Sequence, residues 1–185
     1  YSEDSGGSWA GAAYIYTRSG TTWSEQAKLT ASDAQAGDYF GVHVAISGNT
    51  VVVGAWGEDT GGSQSGAAYV FTRSGTTWSQ QAKLTASDAQ AGDNLGYWVC
   101  IDGDTVVVGA HNEDAGGTDA GAAYVFTRSG TTWTQQQKLA SSDIAAGDYF
   151  GRCSAISGDT VVVGAYGDDH NYSSAGAAYV FTRSG

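Results

Sequence analysis

Four positions spaced 55 residues apart carry a ring every time: Tyr1, Trp56, His111 and Tyr166. Three pairs at the same spacing read Val42 and His43, Tyr97 and Trp98, and Arg152 and Cys153. Aromatic faces suit the C–H faces of sugars or an apolar anchor, while Arg152, His43 and His111 offer polar groups to orient such a ligand. No nucleophile motif accompanies the histidines, and no acid/base pair or triad recurs with convincing spacing, so the chain reads as non-enzymatic. His43, His111 and His170 also lack a closely spaced partner ligand for a metal.

The spacing of these residues belongs to the whole chain. GAAYIYTRSGTTW begins at Gly11, GAAYVFTRSGTTW at Gly66 and Gly121, and GAAYVFTRSG at Gly176. Such a period signals stacked units, because one unit alone cannot bury its apolar face. About 3.4 units of 55 residues are present, with boundaries at 1–39, 40–94, 95–149 and 150–185. In the second unit, runs of strand composition cover Phe40 to Ser47, Thr50 to Ala55, Ala67 to Ser74 and Thr76 to Leu84. Gly48 and Gly75 mark tight hairpins between the first and last pairs. Val51, Val52 and Val53 form a continuous β-branched run suited to a strand buried on both faces, and no stretch has helical apolar spacing. Four antiparallel strands per unit predict an all-β fold made of β-propeller blades.

Composition agrees with this. The chain has 28 glycines, many aromatics, no proline and no methionine, which suits short strands and turns over a disordered linker. No apolar run is long enough for a membrane helix, and the sequence shows no signal peptide. The net charge of −11 disfavours nucleic acid and anionic membranes as partners.

Phe40 and Gly41, then VVVGA at Val51 to Ala55, then GAAYVF from Gly66, resemble the FG-GAP repeat of the integrin α-subunit head and its bacterial and fungal relatives. FG returns at Phe150 and Gly151, with the variant Leu95 and Gly96 between. The resemblance implies a propeller, commonly seven-bladed, from an extracellular or cell-surface protein that binds a glycan or another extracellular protein. It also implies where calcium would sit in an integrin: an aspartate-rich link between the first and second strands. Here that link is only ISGNT, IDGDT or ISGDT, so the family's calcium site is absent from that place. The proline that ends the family motif is replaced by Trp56, His111 and Tyr166.

Comparing the units with one another separates scaffold from candidate site. Trp23, Trp78 and Trp133 stand in register, as do Lys28, Lys83 and Lys138, and read as framework between blades. Strand direction brings the variable sets to one end of the propeller, near the channel mouth. The candidate ligand-binding residues there are Tyr1, His43, Trp56, Tyr97, Trp98, His111, Arg152 and Tyr166. Of 19 acidic residues, 15 fall in loops of this end, among them Asp33, Glu58, Asp88 and Glu113, while Arg18, Arg73, Arg128 and Arg183 sit in the opposite hairpins. Calcium (Ca2+) is chemically compatible with those carboxylates, but no ligand spacing singles out a site. Cys100 and Cys153 lie in adjacent first strands two positions out of register, leaving either a bridge or two buried thiols open. Asn171, Tyr172 and Ser173 form a glycosylation acceptor sequence at Asn171.

About 13 strands are expected, fewer than a closed propeller uses. Two copies would come near the strand number of seven blades. A homo-oligomer, with a dimer favoured, is therefore expected to close the propeller, and a self-assembling adhesion or fibre protein is the alternative to a sugar-binding module.

Overall fold

The computed structural model describes residues 7–169 and 175–184. Tyr1, His170 and the glycosylation candidate Asn171 lie outside the described residues. Among the described residues thirteen strands follow in order: β1 (Ala13–Ser19), β2 (Thr22–Leu29), β3 (Val44–Ser47), β4 (Thr50–Ala55), β5 (Ala67–Ser74), β6 (Thr77–Leu84), β7 (Trp98–Asp102), β8 (Thr105–Ala110), β9 (Ala122–Ser129), β10 (Thr132–Leu139), β11 (Phe150–Ser157), β12 (Thr160–Ala165) and β13 (Ala177–Thr182). They form four sheets, ordered β1-β2, β3-β4-β5-β6, β7-β8-β9-β10 and β11-β12-β13. Neighbouring strands within every sheet are antiparallel.

The TVVVGA strand explains how the sheets stack. Its side chains alternate between faces, so Val51 and Val53 of β4 enter the core against β1 and β2, while Val52 enters the next core with Val106, Val108 and Tyr124. All three valines are at most 3% exposed. A third core of the same kind joins β9 and β10 to β12, around Val107, Val125, Phe150 and Val163. One apolar cluster therefore fills each junction between successive blades, and the strands β3, β7 and β11 lie side by side on the inner line.

The FG and GA glycines are needed where these junctions close. A Cβ on Gly54 would lie 1.8 Å from the carbonyl oxygen of Gly96 in the following blade, and one on Gly109 would lie 1.9 Å from that of Gly151. No side chain fits in such a gap, so the motif's second glycine is a packing requirement between blades.

The first strand of the second unit is shorter than its composition predicts. It starts at Val44, because Val42 N–H turns back to the Tyr39 carbonyl and Gly41 N–H is given to Gly54. Phe40 instead makes an isolated bridge to Gly11 of the preceding blade, with its ring fully buried. In the last blade β11 does run from Phe150, but with an irregularity in its pairing before Cys153.

Candidate functional site

Paired loops build the end of the molecule where the variable residues meet. Segment 8–10 in front of β1 and segment 37–40 in front of β3 exchange backbone hydrogen bonds: Gly37 N–H to Ser8, Tyr39 N–H to Trp9 and Phe40 N–H to Ala10. The same exchange recurs around Asn94 with Ser63 to Ser65 and around Tyr149 with Thr118 to Ala120. In each pair two residues adopt left-handed backbone: Trp9 and Tyr39, Gln64 and Asn94, Asp119 and Tyr149, with φ between 52° and 67°. Asn tolerates this region well, whereas a bulky ring there is an outlier that surrounding structure must enforce.

At the first junction those enforced rings make a ladder. Tyr39 stacks on Trp56 with centroids 4.5 Å apart and planes 8° from parallel, and Trp9 follows at 6.0 Å from Tyr39. Trp9 is 48% exposed, and Tyr39 and Trp56 are half-buried. The ladder thus presents indole and phenol surface to solvent from two loops and the turn that follows β4.

At the third junction five side chains close a circuit. Tyr97 meets His111 at 4.3 Å, His111 meets Tyr149 at 6.3 Å, and Tyr149 stacks on Tyr166 at 5.1 Å. Arg152 completes it, its guanidinium carbon 5.4 Å from the Tyr97 ring centre and 4.6 Å from that of Tyr166, while Nη1 donates to the Tyr166 hydroxyl at 3.0 Å. His111 is buried, and its Nδ1 has no hydrogen-bond partner among the described residues. Burial and then the nearby Arg152 charge press its pKa down to about 4, so the ring is neutral and Arg152 carries the local charge.

The middle junction is polar. Asn94 replaces the tyrosine there, its amide donating to the Gln64 carbonyl at 3.1 Å and its Oδ1 accepting from Asn112 at 2.7 Å. His43 and Trp98 form a separate pair at 3.8 Å. Trp98 Nε1 donates to the Ser154 carbonyl at 2.8 Å, and Val99 N–H reaches His43 Nδ1 at 3.4 Å. Burial lowers the His43 pKa. These two residues tie neighbouring inner strands together, so their sequence variation reflects joints between blades.

The candidate residues therefore divide. Tyr97, His111, Arg152 and Tyr166 come together, Trp56 joins another cluster, and His43 with Trp98 forms a third. Trp9, Tyr39 and Tyr149 were missed by sequence reasoning. A signal existed: position 39 and its equivalents read Tyr, Asn and Tyr, and position 9 and its equivalents read Trp, Gln and Asp.

Much of the acidic loop charge is used inside the fold. Lys83 Nζ bonds Asp33 Oδ2 at 2.7 Å, Glu58 Oε1 at 2.8 Å and Thr60 Oγ1 at 2.8 Å, and lies over the Tyr69 ring. Lys138 repeats this with Asp88 and Glu113. Burial alone would raise the carboxyls of Asp33 and Asp88, yet the lysine and tyrosine hydrogen bonds outweigh it and hold both below the usual value. The lysines are raised in turn by their carboxylate partners despite burial. Asp38, Asp93 and Asp148 are buried and each accepts a loop backbone N–H at 2.7 Å. Among the described residues no group of three or more His, Cys, Asp or Glu could hold a metal ion. An ammonium stands where several loop oxygens converge.

The opposite end is not a bare arginine face. Arg73 donates to Asn49 Oδ1, and Arg128 and Arg183 pair with Asp104 and Asp159 across the two hairpins of one blade. Of the two outcomes left open for Cys100 and Cys153, the bridge is not formed: both are free thiols, Cys100 half-buried and Cys153 exposed on a blade face with no covering sheet among the described residues.

Blades of four antiparallel strands, closed on each other by paired glycines and carrying their variable rings at one end, define a β-propeller type protein. The FG-GAP repeat family model matches residues 23–71, 78–126 and 133–181, and the chain belongs to that family. A comparison with curated proteins found no significant match.

Proposed function

We propose that this chain is a non-enzymatic extracellular recognition module that binds carbohydrate on its aromatic loop end. The carrying observation is the Trp9, Tyr39 and Trp56 ladder, half exposed and held partly in left-handed backbone. A solvent-facing ring kept at a strained position invites a functional explanation, since Asn94 shows that the same loop closes more cheaply without one. Stacked indole and phenol surface matches the apolar face of a pyranose ring. Isothermal titration against a panel of neutral oligosaccharides tests this. Binding that falls at least fivefold in Trp9→Ala and Trp56→Ala supports the reading, and absence of binding across the panel in the parent protein removes it.

A second observation favours self-association. Tyr14 and Tyr16 lie exposed on the outer face of the first sheet, at 47% and 52%, beside a groove of about 370 Å³ lined also by Val44 and Ile46. They are the repeat equivalents of Tyr69 and Phe71, which the second blade buries. Val162 and Val180 lie exposed on the far face of the last sheet and are the equivalents of buried Val52 and Val70. Inside the chain, faces of the second kind pack on faces of the first kind. Two copies are thus proposed to meet head to tail by repeating a contact the chain already makes within itself. Light scattering on the purified chain checks the mass, and Val180→Asp should return an oligomer to monomer. A monomer at all concentrations would remove this reading.

A further inference from the structure

We propose that Arg152, clamped between Tyr97 and Tyr166, is the recognition point for a single carboxylate on a sugar: a terminal uronic acid on an otherwise neutral saccharide. This rests on the carbohydrate reading above and names the chemistry of one site within it.

Arg152 differs from the cations at the blade ends that are neutralised by carboxylates. Lys83, Lys138, Arg128 and Arg183 each hold a carboxylate within ion-pair distance. Arg152 pairs with no carboxylate among the described residues; its contacts are two tyrosine rings and the Tyr166 hydroxyl. A guanidinium has five N–H donors in one plane. Its guanidinium carbon lies 5.4 Å and 4.6 Å from the two ring centres, and Nη1 donates to the Tyr166 hydroxyl. The remaining in-plane donors suit a two-oxygen acceptor, for which carboxylate is the natural fit.

The surroundings favour a sugar acid over a free anion. Tyr166 is 52% exposed and stacked on Tyr149, so a pyranose face can lie on the phenol while its carboxylate reaches the guanidinium. His111, the other polar ring in the circuit, is buried and neutral, leaving one positive charge for one negative charge. The protein as a whole carries −11, and this field opposes a polyanion much more than it opposes a ligand with one carboxylate. A polyuronate or a heavily sulfated chain is therefore disfavoured. No other repeat copies the arrangement, since the positions equivalent to Arg152 are Tyr97 and Val42.

The test uses the whole chain and three probes: xylotriose capped with glucuronic acid, the same compound with its carboxyl reduced to the alcohol, and uncapped xylotriose. Titration of each is expected to give the acid at least a tenfold advantage over its reduced form. Arg152→Gln should erase that advantage, so that acid and reduced probes bind this variant equally, and Arg152→Lys should restore only part of it, because an ammonium cannot match the bidentate edge. Circular dichroism melting of each variant establishes that it is folded before its binding is read. If acid and reduced probes bind equally, the carboxylate assignment is overturned and sugar binding stands. If none of the three binds while other neutral sugars do, the assignment is also overturned. If no sugar of any kind binds, both readings fall together. An acid preference that survives in Arg152→Gln would place the carboxylate elsewhere and overturn the role of this residue.

Discussion

Tyr39 and Trp56 stack 4.5 Å apart although one belongs to a loop before β3 and the other to the turn that follows β4. The contact spans two separate chain segments of one blade and is held by a tyrosine whose φ is 54°. Replacing Tyr39 with Asn, the residue that the next repeat uses at Asn94, separates its two roles. The fold should tolerate Tyr39→Asn or gain up to about 1 kcal/mol, because the short amide side chain suits left-handed backbone better. Binding of neutral oligosaccharides should fall, since Trp56 loses its stacking partner. Thermal melts and titrations on the same preparation check both; a large loss of stability would show that the ring serves the scaffold.

Glycines at the blade junctions differ sharply from glycines in the hairpins. Gly54→Ala places a methyl group 1.8 Å from the Gly96 carbonyl oxygen, whereas Gly75→Ala meets nothing within 4 Å and only has to hold a φ of 62°. The first should cost about 3 kcal/mol or more by forcing two blades apart. The second should cost about 1 kcal/mol. Urea denaturation of the two variants provides the comparison, and equal losses would contradict the packing account of the GA motif.

The sequence made this scaffold legible because the repeat copies a geometric need every time. Val51 to Val53 read as a doubly buried strand, and they are. Which sheets cover its two faces came from the structure, with Val51 and Val53 in one core and Val52 in the next. What stayed hidden depended on three-dimensional partners. Trp98 looked like a ligand platform until its indole N–H was found on the Ser154 carbonyl, 56 residues away. The acidic loops looked like an open charged face, yet Lys83 and Lys138 neutralise part of them from across the junction. Likewise Phe40 has strand composition but spends its backbone on a bridge to Gly11. Left-handed backbone at Tyr39 and Tyr149 has no local sequence signal beyond the Asn that stands at the same position once.

Acid should loosen the third junction first. The His111 pKa is about 4 in the fold against an ordinary 6.5. A histidine depressed in this way contributes stability that is complete above pH 6.5 and is lost as pH falls towards 4. The whole shift corresponds to about 3 kcal/mol. His111→Tyr, which copies Tyr166 of the next repeat, removes the titrating ring. Melting temperatures taken between pH 7 and 4 should fall in the parent chain and flatten in this variant. A parallel fall in both would assign the acid sensitivity to other groups.

Lys83 offers a test of the buried charge. Glu58 is 3% exposed and one of its oxygens has no hydrogen-bond partner among the described residues. Lys83→Met would leave that carboxylate without its ammonium, at a cost of about 3 kcal/mol at pH 7. Asp33 loses the same partner, but its side chain is 44% exposed and solvent screens that loss. Adding Glu58→Gln to Lys83→Met should then recover most of the stability, because no buried carboxylate is left in want of a cation. Chemical denaturation at pH 7 on the single and double variants distinguishes the outcomes. If the double variant is no more stable than the single one, Glu58 is not the group that needs the lysine.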